Sequence, residues 1–214
     1  MPTTPDGGRN PLEVSTRAAA RALQLNGVQQ VGKLVEVGLI RPIKTGLDAE
    51  DVLRVRDRRW ITAETLAAWP PHSVLVVHVG LRKDVDPHLE ADGRRWIGQG
   101  RLQPDGSADP AVDVDEQAAA VGGWWRVAQE RRHQVRVLLP VLGTAVADVW
   151  EVELTADGRA RLDVDSRRFV RYSVRRAATS STALAQRAIG SFAGTRWPSR
   201  PGALVVQTGA GGAA

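Results

Sequence analysis

Carboxylates, histidines and tryptophans are the residues of this chain with chemistry to offer, and their spacing limits what each set can do. Asp148, Glu151 and Glu153 sit together in ADVWEVE. Carboxylates near a strand end can hold magnesium for phosphodiester cleavage. A common nuclease pattern places lysine two positions after Glu151, where this chain has Glu153, and the two glutamates alternate as on a solvated strand edge. Nuclease chemistry is therefore the minor expectation, and a non-enzymatic role the main one. His72, His78, His88 and His133 are scattered and form no HExxH pair. Neither a glycine-rich phosphate loop nor a nucleophile elbow is present, and no cofactor or metal is expected. From Asp84 to Glu116 the chain is acidic and turn-rich, but its spacing matches no EF-hand and reads as a solvated loop.

Composition narrows the classes further. Of 214 residues, 43% are hydrophobic and 25% charged, enough for a buried core in one or two domains. No apolar run reaches the length of a membrane span, the N-terminus has no export pattern, and Cys 0 excludes disulfides and thiolate metal sites. A cytoplasmic protein is expected. The net charge of +5 gathers near the C-terminus, where residues 161–214 carry nine arginines against Asp163 and Asp165. Only Lys33, Lys44 and Lys83 are lysine. Arginine suits bidentate phosphate contacts, although an Ala/Arg/Gly/Val-rich composition also follows from a GC-rich genome.

Two short helices open the chain after a polar arm over residues 1–11. Ser15 is a good N-cap for a helix over 16–23. Val28, Val31, Leu34 and Val35 then repeat at the spacing of a buried helical stripe, and Gly38 ends it. Asn26-Gly27 marks a tight turn between them, so the pair reads as a helix-turn-helix whose second helix enters a DNA groove. Residues 52–56 (VLRVR) have strand character, and Arg54, Arg56, Arg58 and Arg59 gather there before Trp60. Thr62 caps a further helix over 63–69, and Pro70-Pro71 breaks the chain.

That order, with the Ala-rich first helix, LVEVGLIRP at 34–42 and RRW followed by a helix at 58–69, resembles the DNA-binding domain of MerR-type and excisionase-like families. The resemblance implies a winged helix-turn-helix over 12–70. Gln29, Gln30 and Lys33 would then meet base edges or phosphates, Arg41 and Lys44 would add to the DNA contact, and Arg54, Arg56, Arg58 and Arg59 would grip the backbone. Glutamine can pair bidentately with adenine, and lysine with guanine or phosphate. Glu36 on the same face repels phosphate.

Past the prolines, residues 73–79 (SVLVVHV) form a buried strand and 116–120 a turn of helix. Residues 134–142 and 145–154 form a hairpin, followed by strands over 159–164 and 168–174. A helix over 180–192 and a strand over 204–207 precede a loose end. The whole is expected to be α+β, with a mostly antiparallel sheet or barrel over 73–207 and a tail over 208–214. The order around Gly-Trp-Trp-Arg resembles the PUA-like barrels, relatives of EVE, ASCH and SRA domains. This implies an aromatic pocket for a nucleobase, drawn from Trp96, Trp124, Trp125 and Trp150, with Arg126 as a phosphate partner. Any single tryptophan can equally be core. Three roles stay open: a transcription regulator on double-stranded DNA, as a monomer or a homodimer; a reader of modified or structured nucleic acid; and a protein-interaction adaptor.

Overall fold

The computed structural model describes residues 13–86, 95–103, 106, 109–165 and 167–197, and the backbone of 203–206. The arm expected over 1–11 and the tail over 208–214 lie outside them.

A two-residue strand, β1 (Glu13–Val14), leads into α1 (Thr16–Ala22). Ser15 caps this helix as expected, its Oγ accepting from the Ala18 amide at 3.2 Å. Gln24, in the left-handed region at φ 54°, turns the chain toward α2 (Val28–Glu36). Val31 and Leu34 are fully buried along one side of α2. Gly38, at φ 89°, ends it and lets the Leu39 amide reach the Leu34 carbonyl at 2.9 Å. A Cβ at Gly38 would also overlap the Leu102 carbonyl, so backbone angle and close approach both require glycine.

β2 (Pro42–Ile43) and β3 (Gly46–Asp48) then form a small hairpin, with β1 antiparallel on the other edge of β3. The expected strand over 52–56 is instead part of a helix, α3 (Ala49–Arg56). The Asp48 carboxylate caps it, accepting from the Glu50 and Asp51 amides at 2.9 and 3.2 Å. Glu50 and Asp51 at its start and Arg54 and Arg56 at its end match the helix dipole. Val52 and Val55 are buried and Leu53 is exposed. The apparent strand alternation is thus a three-residue helical spacing. Thr62 caps α4 (Ala63–Ala67) as expected.

Beyond Pro70 and Pro71, β4 (Val74–His78) is the expected buried strand. The acidic stretch contains an antiparallel pair, β5 (Lys83–Asp84) and β6 (Trp96–Ile97), and α5 (Val114–Gly122) is longer than the single turn expected. The expected hairpin is present as β7 (Val137–Leu142), β8 (Ala145–Val146) and β9 (Trp150–Val152), its pairing interrupted over 147–149. β10 (Leu162–Val164) and β11 (Val170–Tyr172) pair separately, and β12 (Val174–Arg176), α6 (Ala183–Phe192) and β13 (Ala203–Val206) complete the chain.

The main sheet has the order β12-β9-β7-β4-β13, with β8 on β7. Every pairing is antiparallel except β4 with β7. The α+β class is as expected, but the described residues form no closed barrel. Both faces of the sheet are covered. Leu75 and Val77 of β4 and Leu138 of β7 pack into one cluster with Leu23, Val31, Leu34 and Val55 of the helical segment. Val74, Val76, Val137 and Leu139 point the other way, toward Ala185, Ala188 and Phe192 of α6. A sheet buried on both sides explains why β4 and β7 read as continuous apolar runs. No helix among the described residues is long and apolar enough to cross a membrane.

Candidate functional site

At 100° per residue, Gln29, Gly32, Lys33 and Glu36 lie on the side of α2 opposite Val31 and Leu34. Gln29 and Glu36 are exposed and Lys33 is half-buried. Space beyond Gly32 is open, since a Cβ there would meet nothing within 4 Å. The side chains of Gln29 and Lys33 make no hydrogen bond or ion pair among the described residues, although Lys33 lies near enough to His78 to act on its charge. Gln30 belongs to a different flank: its side chain lies beside Gly143 in the β7–β8 turn, so the sheet covers it. Lys44 is exposed at the tip of the β2–β3 hairpin.

The arginines expected to grip phosphate are largely engaged within the fold. Asp51, with no exposed surface, accepts from the Arg41 amide at 3.0 Å and Arg41 Nε at 2.8 Å, and from Arg54 Nη1. Arg41 Nη2 also sits 2.8 Å from Asp48. Burial alone would raise the Asp51 pKa, but the hydrogen bonds from Arg41 and Arg54 prevail and hold it below the usual aspartate value. Arg56 pairs with Asp57 at 2.7 Å, and Arg59 donates to the Gly190 and Ser191 carbonyls of α6. Arg58 lies against Gly106. A pair that sequence reasoning missed is Arg17 and Arg21. They are exposed one turn apart on α1, with no partner among the described residues. Their i, i+4 spacing is visible in the sequence.

Of the tryptophans, Trp96 and Trp150 are core. Trp96 is 1% exposed and donates to Glu116 at 3.0 Å, and Trp150 is fully buried. Trp124 and Trp125 line a cavity of about 400 Å³ with His78, Leu81, Lys83 and Ile97. The Trp125 indole is fixed, donating to the Val121 carbonyl at 3.0 Å and lying over Gly123. Trp124 makes no hydrogen bond or ring contact among the described residues. Arg126 is exposed and does not line this cavity. Burial, helped by nearby Lys33, lowers the pKa of His78 and keeps the imidazole neutral near pH 7.

The three carboxylates do not converge. Glu151 accepts from Ser180 and Thr182 at 2.7 and 2.8 Å, tying β9 to the start of α6. Asp148 stands 2.8 Å from Arg176, and Glu153 is 3.6 Å from Arg161. Burial raises the Asp148 pKa against the pull of Arg176. Among the described residues no three acidic or imidazole groups could share a metal ion. No protein-family model, curated protein or solved structure matches the chain.

Proposed function

We propose that the protein binds duplex DNA as a transcription regulator, with α1 and α2 as a helix-turn-helix and the β2–β3 hairpin, rather than residues 52–56, as its wing. The observation that carries this reading is the side of α2 opposite its buried stripe, where Gln29 is exposed and nothing occupies the space beyond Gly32. An uncovered helix side with polar residues and a gap between them suits close approach to base edges. Phosphate contacts fall to Arg17, Arg21 and Lys44, whose side chains are exposed without an ion pair. Two copies on paired half-sites would supply the usual specificity of such domains.

Fluorescence anisotropy of a random-sequence duplex, titrated across salt, tests this reading. Each phosphate contact contributes about 0.9 to the slope of log affinity against log salt. The double variant Arg17→Ala/Arg21→Ala should therefore flatten the slope by about 2, whereas Arg54→Ala/Arg56→Ala should change it little. Absence of binding at low salt sinks the proposal. A second reading, a nucleobase reader, is favoured by the unpartnered Trp124 ring beside the fixed Trp125. It predicts loss of binding in Trp124→Ala/Trp125→Ala alone.

A further inference from the structure

The cavity of about 400 Å³ beside Trp124 and Trp125 has walls that hold their shape. One wall is the end of β4 at His78 and the chain that follows it. Gly98, at φ 91°, comes so close to this chain that a Cβ there would overlap the Leu81 carbonyl. The Gln99 amide donates to the Gly80 carbonyl at 2.9 Å, and the Arg82 amide to the Gln99 carbonyl at 3.0 Å. Trp125 is pinned as well. Its amide donates to the Val170 carbonyl at 2.7 Å, and its carbonyl accepts from the Val170 amide at 2.9 Å, in addition to the indole bond to Val121. Walls fixed in this way leave a ligand little to order on binding.

The free polar side chains around the cavity are mainly donors. Lys83 is exposed and makes no ion pair among the described residues. The Trp124 indole N–H, a donor only, has no acceptor among them. The His78 imidazole, kept neutral by burial, has one N–H and one bare nitrogen, and it too makes no hydrogen bond there. Among the described residues no carboxylate lines the cavity. Asp84, next to Lys83, points to the other face of β5 and pairs with Arg82 at 3.3 Å. Such walls call for a flat apolar body against the indoles and for oxygen acceptors toward the donors. We propose that the cavity binds a planar aromatic carboxylate, with its ring against Trp124 and Trp125 and its carboxylate on Lys83. Aromatic rings stack on indole faces, and a hydrogen bond between ammonium and carboxylate is stronger than one between neutral groups. This occupant differs from the nucleobase of the second reading, which would leave Lys83 without a counter-charge.

Calorimetric titration of the intact protein with cinnamate tests this. Cinnamamide and adenine serve as uncharged rings, and hexanoate as an acid without a ring. Cinnamate should bind saturably, and each of the other three at least about tenfold more weakly. Lys83→Gln and Trp124→Ala should each weaken cinnamate about tenfold. Circular dichroism confirms that each variant is folded, and Trp124→Leu stands in if Trp124→Ala is not. Cinnamamide binding as tightly as cinnamate, no saturable binding of cinnamate, or unchanged affinity in Lys83→Gln would overturn the proposal. Adenine binding more tightly than cinnamate would overturn it in favour of a nucleobase. No DNA is present in these titrations, so this proposal and the DNA reading can fail separately.

Discussion

Arg196→Met is expected to destabilise the protein by about 3–5 kcal/mol, the largest effect of any single substitution considered. The side chain joins the end of α1 at Leu23, the end of α3 at Arg56 and the β7–β8 turn at Thr144. Methionine keeps the apolar stem but leaves these three acceptors without donors in the interior, at about 1–3 kcal/mol for each that water does not reach. Removing a desolvated charge offsets some of that loss, and losing the stack on Trp60 adds to it. Arg196→Lys separates charge from geometry: it retains the cation but not the planar fork, so it should lose a large part of the same stability. Urea unfolding monitored by tryptophan fluorescence is the measurement. A midpoint for Arg196→Met close to wild type would show that the residue is packed but not a tie.

Asp51→Asn should cost about 2–3 kcal/mol and change how stability depends on pH. The carboxylate gathers the Arg41 amide and two guanidinium groups, and asparagine turns an N–H toward donors that cannot accept it. Because the folded state holds the Asp51 pKa below its ordinary value of 3.8, the carboxylate's contribution is full above the unfolded pKa. It disappears as pH falls through the lower, folded value. Wild type should therefore lose stability on acidification more steeply than Asp51→Asn. Asp148 has the opposite sign: its raised pKa gives stability below the unfolded value that is lost as pH rises. The difference between the two proteins isolates Asp51. Parallel pH profiles would show that Asp51 gains nothing from being ionised.

Local signals were readable, and long-range ones were not. Ser15, Thr62 and Thr182 cap helices through side-chain oxygens, which sequence alone reveals at the first and second and approaches at the third. Residues 52–56 misled because Leu53-Arg54-Val55-Arg56 alternates apolar and charged as a strand does, while Val52 and Val55, three apart, also fit a helix's stripe. Asp48 and the acidic first turn of α3 were the deciding signals. The apolar runs of β4 and β7 announced burial, but an apolar run does not name its partner, so their parallel pairing stayed hidden. Trp124 and Trp125 were singled out for an aromatic pocket and do line a cavity, whereas Arg126 points elsewhere. The role of Arg196 was invisible, since its acceptors lie at Leu23, Arg56 and Thr144, far away along the chain.

The most direct measurement is a titration of the intact, isotope-labelled protein with a duplex, following backbone amide shifts residue by residue. Docking through the helix-turn-helix predicts changes concentrated in α1, the outward positions Gln29, Gly32, Lys33 and Glu36 of α2, and the turn at Lys44. Changes confined to Trp124, Trp125 and the walls of their cavity, or no changes at low salt, would contradict it.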